Sequence, residues 1–309
     1  VRSQLQRIAS SAILFVSIAV LSNSGLARAE EMEPRSYSPS PIGTNFLILG
    51  YSRTTGGVSI DLSLPITDVQ ALISAGDLGY EHTFALGGRM ASVSFIVPYV
   101  HGDLSGLVGT QSEEVSRSGL ADLSARFAWN FIGNPALTPK QFARRKPTTT
   151  VGASVVIVAP TGSYDPSHLI NIGSNRLAFR PEVGAEQPMG KWFVDGSAGL
   201  WLFTDNTDYL NGKTQAETPL SGYQVHGGYN FRPGMWLAAD ATYYSGGRVS
   251  VNGVATHDVL ANSRYGLTLA TPLANGFSTK LAWSRWLNGQ VGTKFNTIGL
   301  TLQYRWFDR

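Results

Sequence analysis

From Asn45 onward, apolar residues recur at every second position, the spacing at which successive side chains of a strand point to opposite faces. In Asn296–Phe307, Ile298, Leu300, Leu302, Tyr304 and Trp306 share one face, while Gly299, Thr301, Gln303 and Arg305 share the other. The same split divides Gly119–Phe131, where Ala121, Leu123, Ala125, Phe127, Trp129 and Phe131 oppose Asp122, Ser124, Arg126 and Asn130. In Arg176–Gln187, Leu177, Phe179, Pro181 and Val183 oppose Arg180, Glu182 and Glu186. One face suits hydrocarbon and the other suits water. About twelve such segments follow one another, each near the 9–11 residues with which a tilted strand crosses a bilayer.

The connections alternate in length. Gly87-Gly88, Met189-Gly190, Pro233-Gly234 and Asn275-Gly276 carry tight-turn chemistry. Between them lie longer polar stretches, Thr54–Val69, Gly102–Ser118, Thr204–Leu220 and Gly246–Val259, which read as loops. Short turns on one rim and long loops on the other, with an even strand number, predict an all-β fold: a transmembrane antiparallel up-and-down β-barrel of about twelve strands. The long basic connection 132–146 falls on the short-turn rim and has no role in this scheme.

The amino end adds the compartment. Arg2 and Arg7 precede an apolar run from Ile8 to Leu21, and Ala27-Arg28-Ala29 follows as a small-residue cleavage site, so residues 1–29 read as a secretory signal peptide. Residues 30–44 are then a periplasmic segment, long enough to fold back into the barrel mouth, and 45–309 the barrel. Without Arg2, Arg7 and Arg28, the 24 basic residues fall to 21 and equal the 21 acidic ones. That balance gives no basis for nucleic-acid binding, which needs a basic surface. The chain contains no cysteine, which excludes disulfides, thiolate metal sites and cysteine nucleophiles.

A lysine or arginine facing lipid at mid-depth costs about 2–4 kcal/mol, so strand charges should face the lumen. Alternation assigns Asp77, Glu81, Asp122, Arg126, Arg180, Glu182, Glu186, Asp195, Asp240, Arg264, Lys280 and Arg305 to that interior. Arg285 falls on the other face near a strand end, where it can snorkel to the rim. Aromatic residues near strand ends, Trp129, Phe131, Trp192, Tyr229, Phe231, Trp236, Phe277, Tyr304 and Trp306, read as an interfacial girdle.

The stretch Pro160–Gly184 concentrates Asp165, His168, Asn171, Arg176, Arg180 and Glu182, which invites a catalytic reading. Asp165 and His168 have no supporting histidine or carboxylate at a useful spacing, and the other histidines are scattered, so no catalytic, metal or cofactor residues are assigned. In the barrel register, residues 161–175 form an exterior loop. The same stretch, "APTGSYDP" through "LINIGSNR" to "PEVG", with "GTNFLILGY", "GGV" and "SLP" nearer the amino end, resembles the outer-membrane family named for the MetA pathway of phenol degradation. The resemblance covers nearly the whole chain after the signal and implies a β-barrel that passes small, often aromatic compounds, with no catalytic residues. The tail "TIGLTLQY" is similar to the signal by which barrel assembly machinery recognises a final strand, with Thr297, Gly299, Leu302 and Tyr304 at its defined positions.

Three functions are weighed on these grounds. The leading one is an outer-membrane channel for small solutes, aromatic or hydrophobic ones included, with outer-membrane lipid, the assembly machinery and the solute as its partners and no cofactor. A closed structural or surface-interaction barrel is the second. An outer-membrane hydrolase is the third, and it lacks a recognisable nucleophile, base and orienting group.

Overall fold

The computed structural model describes residues 32–59, 66–108, 111–168, 170–255, 259–288 and 292–308. Residues 1–29, expected to be a secretory signal, lie outside them. Twelve antiparallel staves close into one barrel. They are β1 (Thr44–Ser59), β2 (Ile66–Leu86), β3 (Arg89–Val108), the pair β4 (Gln111–Leu120) and β5 (Leu123–Ile132), β6 (Thr150–Ala159), β7 (Ala178–Met189), β8 (Trp192–Phe203), β11 (Leu220–Arg232), β12 (Met235–Gly246), β15 (Leu260–Pro272), β16 (Phe277–Asn288) and β18 (Asn296–Phe307). β1 pairs with β2 and with β18, the latter from Thr44↔Phe307 to Thr55↔Asn296, which closes the ring and leaves no edge there, and its outer end pairs with the short β17 (Gly292–Thr293).

The face assignment follows from solvation. Ile298 and Leu300 are each 53% exposed and Val183 56%, whereas Arg180, Glu182, Glu186, Asp195 and Asp240 are buried inside. The tight turns put their glycines in the left-handed region, Gly87 and Gly88 at φ 56° and 74°, and Asn275-Gly276 at 56° and 85°.

Three expectations about the strands and loops are corrected. The stretches Thr54–Val69 and Gly102–Ser118 are largely strand, because β1, β2 and β3 run for 16, 21 and 20 residues and keep pairing beyond the membrane. There the pattern inverts, with Ala71, Ile73 and Leu104 turned inward into a buried apolar cluster and Gln70 and Ser105 exposed outside, so the ladder persists while the apolar-outward alternation ends. Thr204–Leu220 and Gly246–Val259 are not plain loops either. They contribute β9 (Asn206–Tyr209), β10 (Lys213–Glu217), β13 (Val249–Val251) and β14 (Val254–Ala255) to a separate four-stranded sheet packed around Tyr209, Leu210 and Val249. Finally, Gly119–Phe131 is interrupted at Ala121–Asp122. β4 pairs with the outer half of β3 and β5 with the inner half.

The basic connection carries the short helix α1 (Pro139–Phe142) and lies against the start of the barrel, with the Ile42 amide donating to the Leu137 carbonyl at 2.9 Å. The buried Asn134 side chain contacts the Met90 sulfur.

Candidate functional site: the barrel lumen

The lumen has a floor, a middle and a roof. The floor is the segment before β1, which folds back inside. Arg35 is its main anchor: its amide donates to Asp195 Oδ1 at 3.1 Å, Nη1 to Asn230 at 2.9 Å and Nη2 to Glu186 at 3.2 Å. Its guanidinium lies 4.5 Å from the Phe193 ring centre. These contacts hold Arg35 at φ 67°, a conformation that costs a non-glycine residue about 1 kcal/mol or more. Tyr37 is 3% exposed; its hydroxyl lies 2.9 Å from both Ser154 and the Glu182 carboxylate, and its carbonyl accepts from Asn130. Its ring fills the space beside Gly152 and Gly184, which face each other across β6 and β7. A side chain at either position would take that space.

The roof is the stretch that raised the catalytic question. Asp122 turns inward from the break before β5, accepting from the Gly162 amide at 2.8 Å and from the amide and hydroxyl of Ser174. One carboxylate thus interrupts a strand and fastens both ends of the exterior loop. Gly162 and Gly173 pack backbone to backbone, so closely that neither site has room for a Cβ. Asp165 caps the turn through the Ser167 amide and hydroxyl, and those donors hold its carboxyl below the usual range. His168 lies 3.7 Å away, and both residues are solvent-exposed. The pair shapes a turn. Beside it, Arg176 and Glu217 form a buried ion pair, with the guanidinium 4.4 Å from the Phe203 ring centre.

Between floor and roof lies a cavity of about 1040 Å³, lined below by Glu33, Arg35, Ser38 and Ser40 together with the turn at Pro233-Gly234, and above by Ile170, Asn171 and Ile172. Asp77, Glu81, Arg126, Arg180, Arg264, Lys280 and Arg305 line it. Glu182, Glu186 and Asp195 are covered by the folded-back segment, and Asp240 binds His226 at 2.7 Å and Thr268 at 2.7 Å. Arg264 donates to Ser284. Arg285 is exposed on the outer surface.

Trp129, Phe131, Trp192, Tyr229, Phe231, Phe277, Tyr304 and Trp306 cluster on the outside at the short-turn ends of their strands. Trp192 lies against Tyr229 at 4.9 Å between ring centres, and Phe277 against Tyr304 at 4.8 Å. Trp236 is a correction: it is 8% exposed and packs inside against Phe193, Ala238 and Ala270. It shares the parity of Asp240, so the alternation itself argued for the inward face. Sequence reasoning also missed Glu33, Arg35 and Tyr37, and the inward Trp201, whose parity with Asp195 was readable.

A closed antiparallel barrel, apolar outside, polar within and ringed by aromatics at its short-turn rim, is a bacterial outer-membrane β-barrel. The solved structures similar to it have that fold. The COG4313 outer membrane channel from Pseudomonas putida F1 matches with a TM-score of 0.77 and 22% identity, over 89% of this chain and 100% of that one. The translocator domain of autotransporter NalP from Neisseria meningitidis matches at 0.55 and 10% identity, over 92% and 96%. The transport unit of autotransporter AIDA-I from Escherichia coli matches at 0.51 and 8% identity, over 92% and 96%. A comparison with curated protein sequences finds no match. The chain belongs to the family described as "Putative MetA-pathway of phenol degradation", whose sequence profile matches residues 52–304.

Proposed function

We propose that the protein is an outer-membrane channel for small solutes, and that its amino-terminal segment is a seated plug. The observation that carries this reading is the cavity itself, lined on its short-turn side by residues of the segment before β1 that polar contacts hold to the wall. Polar contacts exchange readily with water, so such a floor can be released at modest cost. The family's association with phenol degradation supports aromatic compounds among the solutes.

The same contacts favour the rival reading, a permanently closed barrel whose exterior sheet does the work. Single-channel recording separates the two. The full chain should conduct weakly, and a variant lacking residues 32–40 should conduct more. Unchanged conductance would argue against the plug, and impermeability of both proteins to ions and small solutes in liposome swelling would remove the channel. The carboxyl-terminal strand is proposed to engage the assembly machinery through Thr297, Gly299, Leu302 and Tyr304, with outer-membrane lipid around the aromatic rim.

A further inference from the structure

Across four neighbouring strands, one row of inward side chains combines cationic and apolar character. Arg126 on β5 pairs with Val156 on β6, and Val156 with Arg180 on β7. The Arg180 guanidinium lies 5.2 Å from the Trp201 ring centre on β8. All four residues line the cavity.

Their hydrogen-bonding capacity is unspent. Arg126 Nε and Nη2, Arg180 Nε and Trp201 Nε1 are buried donors with no acceptor among the described residues. The carboxylates near Arg180 do not remove the deficit: Glu182 and Glu33 stand 3.8 and 3.9 Å away, beyond hydrogen-bond reach. Glu182 accepts instead from Tyr37, and the Arg126 guanidinium faces the Tyr37 ring at 5.2 Å. Buried donors are normally satisfied, and guanidinium pairs suit carboxylates in two-point geometry.

We infer that this row is a binding site for a small monocarboxylate with a flat apolar body. The carboxylate would take the free N–H groups of Arg126 and Arg180, and the body would lie along Trp201, Val156 and Val158. Glu33 is the chain's own stand-in for such an anion. It sits in the field of Arg180 and Arg126 as well as of Lys280 and His226. An incoming carboxylate therefore competes with Glu33 and weakens one hold on the folded-back segment. The site deepens the channel reading by naming a solute class and rests on it for its physiological meaning, although binding itself is separately measurable.

Calorimetry on the full-length protein in detergent tests the inference, with benzoate as the probe, benzamide as its uncharged counterpart and acetate as the carboxylate without a ring. Benzoate should bind about tenfold or more tightly than either control, a difference of roughly 1.4 kcal/mol or more. Arg126→Gln and Arg180→Gln should each weaken benzoate at least about tenfold, and Glu33→Gln should strengthen it severalfold. Because Arg180 is the more buried of the two, Arg126→Gln and Glu33→Gln keep the test decisive if Arg180→Gln misfolds. Equal affinity for benzoate and benzamide, or indifference of benzoate to Arg126→Gln and Glu33→Gln, would overturn it. Solute passage in liposomes without benzoate binding would sink this site and leave the channel standing; binding without passage would do the reverse.

Discussion

The seat of Tyr37 gives the sharpest perturbation. Gly184→Ala places a methyl group against Tyr37 Cε2, 2.5 Å from Tyr37 Cδ2 and 3.1 Å from the Gly196 carbonyl oxygen, whereas Gly152→Ala meets the Asn130 side-chain oxygen first and lies 2.6 Å from Tyr37 Cδ1. Neither glycine has a positive φ, so the backbone conformation suits alanine and, at Gly184, the collision with the ring decides the outcome. Carbon atoms rest about 3.5–4.0 Å apart, so the ring must withdraw by roughly 1 Å. Overpacking of this kind costs about 1–3 kcal/mol. Withdrawal also stretches the hydroxyl contacts to Ser154 and Glu182, worth about 1 kcal/mol more. A loss of about 2–4 kcal/mol lowers the seated fraction relative to the unseated one by roughly 30- to 1000-fold. The expected result in planar bilayers is a larger or more frequent open level for Gly184→Ala, with faster tryptic cleavage at Arg35. Wild-type conductance and wild-type protection of Arg35 in a correctly folded variant would refute the seat.

Three further outcomes follow from geometry already described. Arg176→Gln strands the buried Glu217 carboxylate and should destabilise the protein by about 3–5 kcal/mol, read as a lower unfolding temperature in detergent, whereas the paired Arg176→Leu, Glu217→Leu replacement should recover most of that loss. Asp122→Ala removes the acceptor shared by Gly162 and Ser174, at about 1.5–3 kcal/mol for each charge-assisted bond. Proteinase K added to intact cells should then cut within residues 161–177, and continued resistance would contradict the anchoring role. Leu300→Arg puts a charge on the lipid face and should cost about 2–4 kcal/mol in folding into vesicles, while Thr301→Arg, on the other face, should fold nearly as well as the parent.

What the sequence made legible tracks where the environment has two sides. Between lipid and lumen, each strand residue meets either hydrocarbon or water, and the period of two records it, as in β18 and β7. In the outer halves of β2 and β3 the outward residues meet water and the inward ones pack in a small apolar cluster, so the apolar-outward alternation did not extend there. The interruption at Ala121–Asp122 depends on what Asp122 binds 40 and 52 residues later, and period alone carries no such information. The floor of the lumen was hidden for the same reason. The bonds of Arg35 and Tyr37 reach partners 151 and 145 positions away, which composition could suggest only as a segment long enough to fold inward. Trp236 is different in kind. Its face was written in its parity with Asp240, but proximity to a strand end outweighed that signal.

The seam between β1 and β18 constrains how the molecule is made. The first strand pairs at once with the second but finds its other neighbour only when the last has arrived, and Asp308 completes the joint through the Gly43 carbonyl and the Asn45 side-chain amide. Because Gly43 is also where the folded-back segment leaves the wall, the hinge of that segment and the final weld of the cylinder are one locus. Segment and staves thus share one attachment, and whatever loosens the weld should also loosen the segment's hinge.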